Sequence, residues 1–227
     1  MEDKTYKLTE DRLIIFDKEL EIFIDDPFSL PKIPLDLNEN AELTVNKDFS
    51  GKLKEVFLTK EGKKHGQKKL FYERGRVRAE MFYFEGDLHG PSVYYSKEGG
   101  ILSESWFYKG VKQGIVKLYY LSGALYSVQS FKDGMREKKQ LYYHENKNIK
   151  TCLFYKNGLL QGEVILYWPS GKIRRKCFFA NGKKEGIDQS YSESGSMILS
   201  GEYKGNMAIG LHKKWDDKGS LISQVRY

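Results

Sequence analysis

Residues Lys117–Tyr126 read "KLYYLSGALY", and residues Ile165–Arg174 read "ILYWPSGKIR". Each writes an apolar strand, an aromatic pair and a Gly turn followed by an apolar residue. Steps of 24 from Gly123 of the first stretch meet Gly51, Gly75, Gly99, Gly171, Gly195 and Gly219, with Lys147 the single interruption. A second column holds Gly66, Gly90, Gly114, Gly162, Gly186 and Gly210, interrupted at Lys138. Aromatic columns keep the same step, one from Phe71 to Trp215 and another from Tyr83 to Tyr227. Such register without insertion is the mark of a repeat array. It gives seven 24-residue repeats over residues 61–227 and a partial repeat at residues 49–60.

Each repeat reads as a β-hairpin. In the first, Gln67–Tyr72 is one strand, Glu73-Arg74-Gly75 is a three-residue loop with Gly in the left-handed position, and Arg76–Phe84 is the return. The links between repeats carry Glu85-Gly86, Lys109-Gly110, Asp133-Gly134, Asn157-Gly158 and Asn181-Gly182. Such pairs favour tight hairpin turns, where both turn residues need positive φ. Repeat seven carries its first Gly one position early, at Gly205. The expected fold is all-β: an elongated, twisted antiparallel meander of seven hairpins. At about 4.8 Å per strand, fourteen strands would span roughly 65 Å.

The composition agrees. The 227 residues include 16 Tyr, 13 Phe and 22 Gly but 5 Pro, which suits many short strands joined by Gly turns. The start, "MEDKTYKLTEDR", lacks a basic-then-apolar leader, and no apolar run reaches membrane-spanning length. Cys152 and Cys177 are one column out of step, on opposite faces, so no disulfide is expected between them. These features read as a cytoplasmic protein, peripheral at a membrane if it binds lipid. The net charge of +7 is uneven. Residues 1–50 are acidic and the remainder strongly basic. Residues 1–48 form an acidic segment with strand-like runs at 12–16 and 19–24 and prolines at 27, 31 and 34. It is expected to dock over the array.

Strict alternation along the strands assigns the faces. Phe71, Val77 and Tyr83 with their counterparts form one ladder, taken as the core. The opposite face carries Tyr72, Tyr94, Trp106, Tyr120, Tyr126, Tyr142, Trp168 and Phe178, and turns polar in the last two repeats. An apolar second face must be covered, by residues 1–48, by a partner, or by curling of the sheet. Those eight residues are the candidate partner-binding surface.

No catalytic residues are legible. Nucleophile elbows, phosphate loops and metal-ligating His pairs are missing from the sequence. His65 and His89 share a column but stand two strand spacings apart, too far to ligate one metal in an ideal sheet. No cofactor is expected. Basic groups remain: Arg76 and Arg78 in "ERGRVR", and Arg174, Arg175 and Lys176 in "GKIRRK". By that alternation Arg76, Arg78, Arg174 and Lys176 fall beside aromatics on the second face. All five are candidate anionic-ligand residues, with screening of surface apolar area as the competing reading.

The segment "NGLLQGEVILYWPSGKIRRKCFFA" resembles the bacterial variant of the MORN repeat, as does "DGMREKKQLYYHENKNIKTCLFYK" with Lys138 and Lys147 where Gly is expected. The resemblance covers residues 61–227. It implies a non-enzymatic interaction module, a scaffold or an antitoxin-like binder, with a protein partner. The alternative is peripheral binding of anionic membrane lipid through the basic clusters. Nucleic acid is the weakest reading, because an acidic arm opposes it. The last strand would offer an open edge to a second copy, giving a homodimer.

Overall fold

The computed structural model describes residues 41–227 and, before them, three short strands, β1 (Tyr6–Leu8), β2 (Leu13–Asp17) and β3 (Ile22–Phe23). These pair antiparallel in the order β1-β2-β3. The two strand-like runs expected near the N-terminus correspond to β2 and β3, which meet at Phe16↔Phe23 and Asp17↔Ile22. Docking of residues 1–48 over the array lies for the most part outside the described residues.

The chain divides into two compact units, residues 1–114 and 115–227. The first contains β4 (Glu42–Lys47), β5 (Leu53–Lys60), β6 (Lys63–Phe71), β7 (Val77–Phe84), β8 (Asp87–Tyr95) and β9 (Ile101–Tyr108). The division falls inside β10 (Val111–Tyr119). The second contains β11 (Leu125–Lys132), β12 (Met135–Arg136), β13 (Lys138–Tyr143), β14 (Ile149–Lys156), β15 (Leu159–Leu160), β16 (Gly162–Tyr167), β17 (Ile173–Ala180), β18 (Lys183–Tyr191), β19 (Met197–Lys204), β20 (Met207–Trp215) and β21 (Leu221–Arg226). Described helices are absent, and strands consecutive in sequence pair antiparallel in both units. The expected hairpin meander is the fold. The first hairpin begins earlier than the partial repeat suggested, because β4 pairs with β5 from Glu42↔Thr59 to Lys47↔Leu53.

Backbone geometry explains the Gly columns. In the loop after β6, Gly75 has φ 79° and its N–H donates to the Tyr72 carbonyl at 2.8 Å. The Tyr72 N–H donates to the Arg76 carbonyl, closing the hairpin. The same pair of bonds recurs from Asp48 to Asp216. The links are turns with positive φ at both central residues, as at Asn157 (50°) and Gly158 (76°). Gly205 (58°) and Asn206 (75°) are the same turn with the residue types exchanged, so repeat seven keeps its register.

The second Gly column marks a bend. After Met81↔Ser92 the register resumes at Tyr83↔Leu88, so three residues of β8, including Gly90 at φ 111°, oppose one of β7. A further bulge falls just after each three-residue loop. Leu70 pairs with Ala79 while Phe71 pairs with Val77, which leaves Arg78 as an extra residue. Leu102, Lys150, Arg174 and Ile198 occupy the same position in later hairpins.

That bulge overturns the assigned faces. Cross-strand partners share a face. Phe71 and Val77 therefore lie together, but Tyr83 pairs with Gly66 and points to the other side. Leu70 shares its face with Ala79 and Tyr94, whereas Phe82 pairs with Gln67. The eight aromatic candidates do not form one surface. Tyr94 lies on one face, and Trp106, opposite Pro91, lies on the other.

The same repeat position is buried in each unit, as Lys68 and Ser92 in the first and Val116, Gln140, Val164 and Asp188 in the second. Its composition is mixed because polar members are satisfied in place. The Gln140 amide is fully buried; it donates to the Ser130 and Glu137 carbonyls and accepts from the Ser130 N–H. Cys152 and Cys177 are free, buried and on opposite faces, as expected.

Repeat four puts lysine where its neighbours use glycine, with φ 59° at Lys138 and 72° at Lys147. A left-handed residue carrying a Cβ costs about 1–2 kcal/mol, partly offset by the flexibility that glycine adds to the unfolded chain. Lys138→Gly and Lys147→Gly should each raise stability by roughly 0.5–1 kcal/mol, read as a higher urea midpoint with an unchanged slope.

Candidate interaction groove

The hairpin loops are tied to one another by side chains. Tyr72 Oη donates to the Tyr95 carbonyl at 2.7 Å, and Tyr120 Oη to the Tyr143 carbonyl at 2.8 Å. His144 Nε2 meets the Tyr167 carbonyl at 3.0 Å, and Trp168 Nε1 donates to the Tyr191 carbonyl at 3.1 Å. Each bond reaches 23 residues on, from one loop to the next. Where the column holds a short side chain, that side chain caps its own loop. Asp48 and Asp216 accept two backbone N–H bonds each, and so does Ser96.

The opposite edge has ties of its own. Glu137, Gln161 and Glu185 accept the N–H of Asn157, Asn181 and Gly205, the first residue of a turn 20 positions on. For the loop ties the legible signal is the column Tyr72, Tyr120, His144 and Trp168, whose members share a side-chain hydrogen-bonding group as well as a ring.

Several candidate partner-binding residues are therefore parts of the scaffold. Tyr72, Tyr120 and Trp168 bond to the neighbouring loop. Trp106 is 5% exposed. Tyr126 stacks edge-on between Tyr120 and Tyr142, with ring centroids at 5.2 and 5.8 Å. Tyr94 and Phe178 remain exposed, in different units. His65 and His89 are buried in a ring stack with Phe84 between them, at centroid distances of 5.1 and 5.6 Å. Among the described residues no group could hold a metal.

The basic candidates separate in the same way. Arg175 forms a two-point bond to buried Asp188, Nε to Oδ1 at 2.8 Å and Nη2 to Oδ2 at 2.5 Å. Lys184 completes that cluster and lies 3.5 Å from the Tyr203 ring centroid. Burial alone would raise the Asp188 carboxyl, but the bonds and charges of Arg175 and Lys184 outweigh it and hold the group below the ordinary carboxylate value. Lys176 pairs with Glu163 at 2.8 Å, and Arg174 lies over the Trp168 ring at 5.0 Å. The candidates Arg174, Arg175 and Lys176 are thus engaged within the second unit.

Arg76 and Arg78 lie elsewhere, in a concavity of the first unit. It is an open groove of about 1420 Å³ across the loops after β4, β6 and β8. Its apolar lining is Phe49, Leu53, Leu70, Phe71 and Tyr72. Its basic lining is Lys54, Arg74, Arg76, Arg78 and Lys97. Four carboxylates also line it, two of which are already occupied. Asp48 caps its loop, and the Ser50 bond is the main cause holding its carboxyl low. Glu55 is held low first by Lys68, 2.5 Å away, and also accepts from Asn46 at 2.8 Å. Glu73 and Glu98 stand exposed on the rim.

Arg76 donates to the Lys97 carbonyl at 3.1 Å and so braces two loops, while Lys54, Arg74 and Arg78 make no ion pair among the described residues. Phe49 is fully exposed at its loop tip. Sequence reasoning named Arg76 and Arg78 but missed Phe49, whose signal is that it is the aromatic member of a tip column otherwise made of Glu73, Lys97, Leu121, Glu145, Pro169, Glu193 and Asp217.

The architecture is that of an antiparallel hairpin-repeat protein. Three consecutive segments, residues 112–133, 136–157 and 160–183, match the MORN repeat variant. They include repeat four with both lysines. No curated protein matches the chain. MORN repeats are a non-catalytic module generally associated with protein or membrane-lipid interaction.

Tyr120→Phe removes a hydrogen bond but keeps the ring; it should cost about 1 kcal/mol in chemical denaturation. Asp188→Asn should cost about 3 kcal/mol at neutral pH, since it breaks a buried ion cluster. The folded Asp188 value is depressed, so its contribution is complete above the unfolded carboxylate value and fades as pH falls through the folded one. Stability–pH curves of wild type and variant should therefore converge in acid.

Proposed function

We propose that the protein is a non-enzymatic interaction module that holds a protein partner in the groove of its first unit. One observation carries this: an exposed aromatic and three basic side chains without ion pairs among the described residues line one groove together with apolar residues. Exposed aromatic and arginine side chains around an apolar floor are the usual composition of a binding surface. The scaffold or antitoxin-like role belongs to the same proposal. Two buried free thiols fit a reducing, cytoplasmic setting, and no described helix is long and apolar enough to cross a membrane.

A second reading rests on the turn edge of the second unit. Met135, Leu159 and Met207 project there with exposures of 48, 50 and 69%, beside exposed Lys132, Lys156, Lys183 and Lys204. Apolar tips framed by lysine suit an anionic membrane surface.

The two readings separate with two variants of the full chain. Arg74→Glu with Arg78→Glu should reduce recovery of a stoichiometric protein partner from native lysate by at least about tenfold, on the scale of desolvated charge contacts. Met135→Asp with Leu159→Asp should leave it unchanged. Loss of phosphatidylserine-vesicle binding in the second variant, with no partner lost in the first, would put the membrane reading in its place.

A further inference from the structure

We propose that the groove binds an extended acidic segment of a partner polypeptide, about six residues long, with one apolar side chain against Phe49. This rests on the groove being the interaction surface. The length follows from the fold. The groove crosses three successive hairpin loops, which is two repeat steps. Each step is two strand spacings of about 4.8 Å, so the floor is roughly 19 Å long, and an extended residue covers about 3.3 Å.

The charge follows from which groups are engaged. Asp48 and Glu55 are consumed by internal bonds, so five basic groups face two available carboxylates, Glu73 and Glu98. Arg74 and Arg78 can each take a carboxylate by two parallel bonds. Arg76 is braced against the Lys97 carbonyl, which sets the spacing between neighbouring loops before any ligand arrives. The two rim carboxylates argue against nucleic acid, which carries a negative charge at every step and would meet repulsion there. A peptide can place acids opposite the arginines and backbone N–H groups opposite Glu73 and Glu98. Phe49, fully exposed beside Leu53 in the lining, supplies the apolar contact.

The test uses the full chain and a fluorescein-labelled peptide, EDLEDE, with its amide counterpart QNLQNQ as the neutral control. Fluorescence anisotropy reads binding, and far-UV circular dichroism confirms that each variant is folded. The acidic peptide should bind, and its affinity should fall at least about tenfold between roughly 50 and 500 mM salt. Arg74→Glu with Arg78→Glu should weaken it at least about tenfold, and Phe49→Ala a few-fold. Equal binding of the amide peptide, or unchanged binding to the double variant, would overturn the proposal.

A second full-chain variant replaces Asp25, Asp26, Asp36 and Glu39 by their amides. If it bound the peptide about tenfold more tightly, the occupant would be this chain's own acidic segment, which also overturns a partner. Failure of the two readings differs. A double variant that loses the captured protein but keeps the peptide would sink the acidic-segment proposal and leave the groove reading. One that loses the peptide but still captures the protein would sink the groove reading.

Discussion

Every repeat depends on left-handed backbone at fixed offsets. Repeat two shows the set: Glu85 and Gly86 in the link turn, Gly90 at the bend and Gly99 in the hairpin loop, all at positive φ. Strand length, loop type and step size follow from these positions. A chain that must turn tightly at each end of every strand has little choice of register. Glycine meets the demand at low cost, and Asn or Asp nearly so. The two lysines of repeat four adopt the same conformation, because the hairpins on either side define the path and the ladder bonds outweigh the local strain.

With register set by the turns and by the side-chain ties along both edges, the interior need not be uniformly apolar. One column can hold Val116 and Val164 beside Gln140 and Asp188, since each polar member finds partners on its own or the next strand. Small strand-by-strand units of this kind draw stability from nearest neighbours rather than from one large core. The cost is that a buried charge cluster such as Asp188, Arg175 and Lys184 must stay complete.

The same accounting locates the candidate site. In the second unit Tyr120 and Trp168 are spent on bonds to the next hairpin loop, and Arg175 and Lys176 on carboxylates of the neighbouring strands. The first unit differs, because Lys54, Arg74 and Arg78 line an open groove and have no ion-pair partner among the described residues. A surface of unsatisfied cations above apolar lining retains free energy for a ligand that internally paired residues have already used.

The amino-acid sequence alone determined the 24-residue step, the seven hairpins, the loop and link turns, and the separation of the two cysteines. These rest on local rules, the need for positive φ and the spacing of strands, which operate within a few residues. Only the tertiary structure decided the faces. A bulge at Arg78 and its counterparts inserts one residue per hairpin, and one residue is enough to send every later side chain to the other side of the sheet. The tertiary structure also decided which charges are spent. Asp188 lies 13 residues from Arg175 and four from Lys184, yet it meets both at one point because β17 and β18 pair there and bend. Such meetings depend on register across strands, which no single strand encodes.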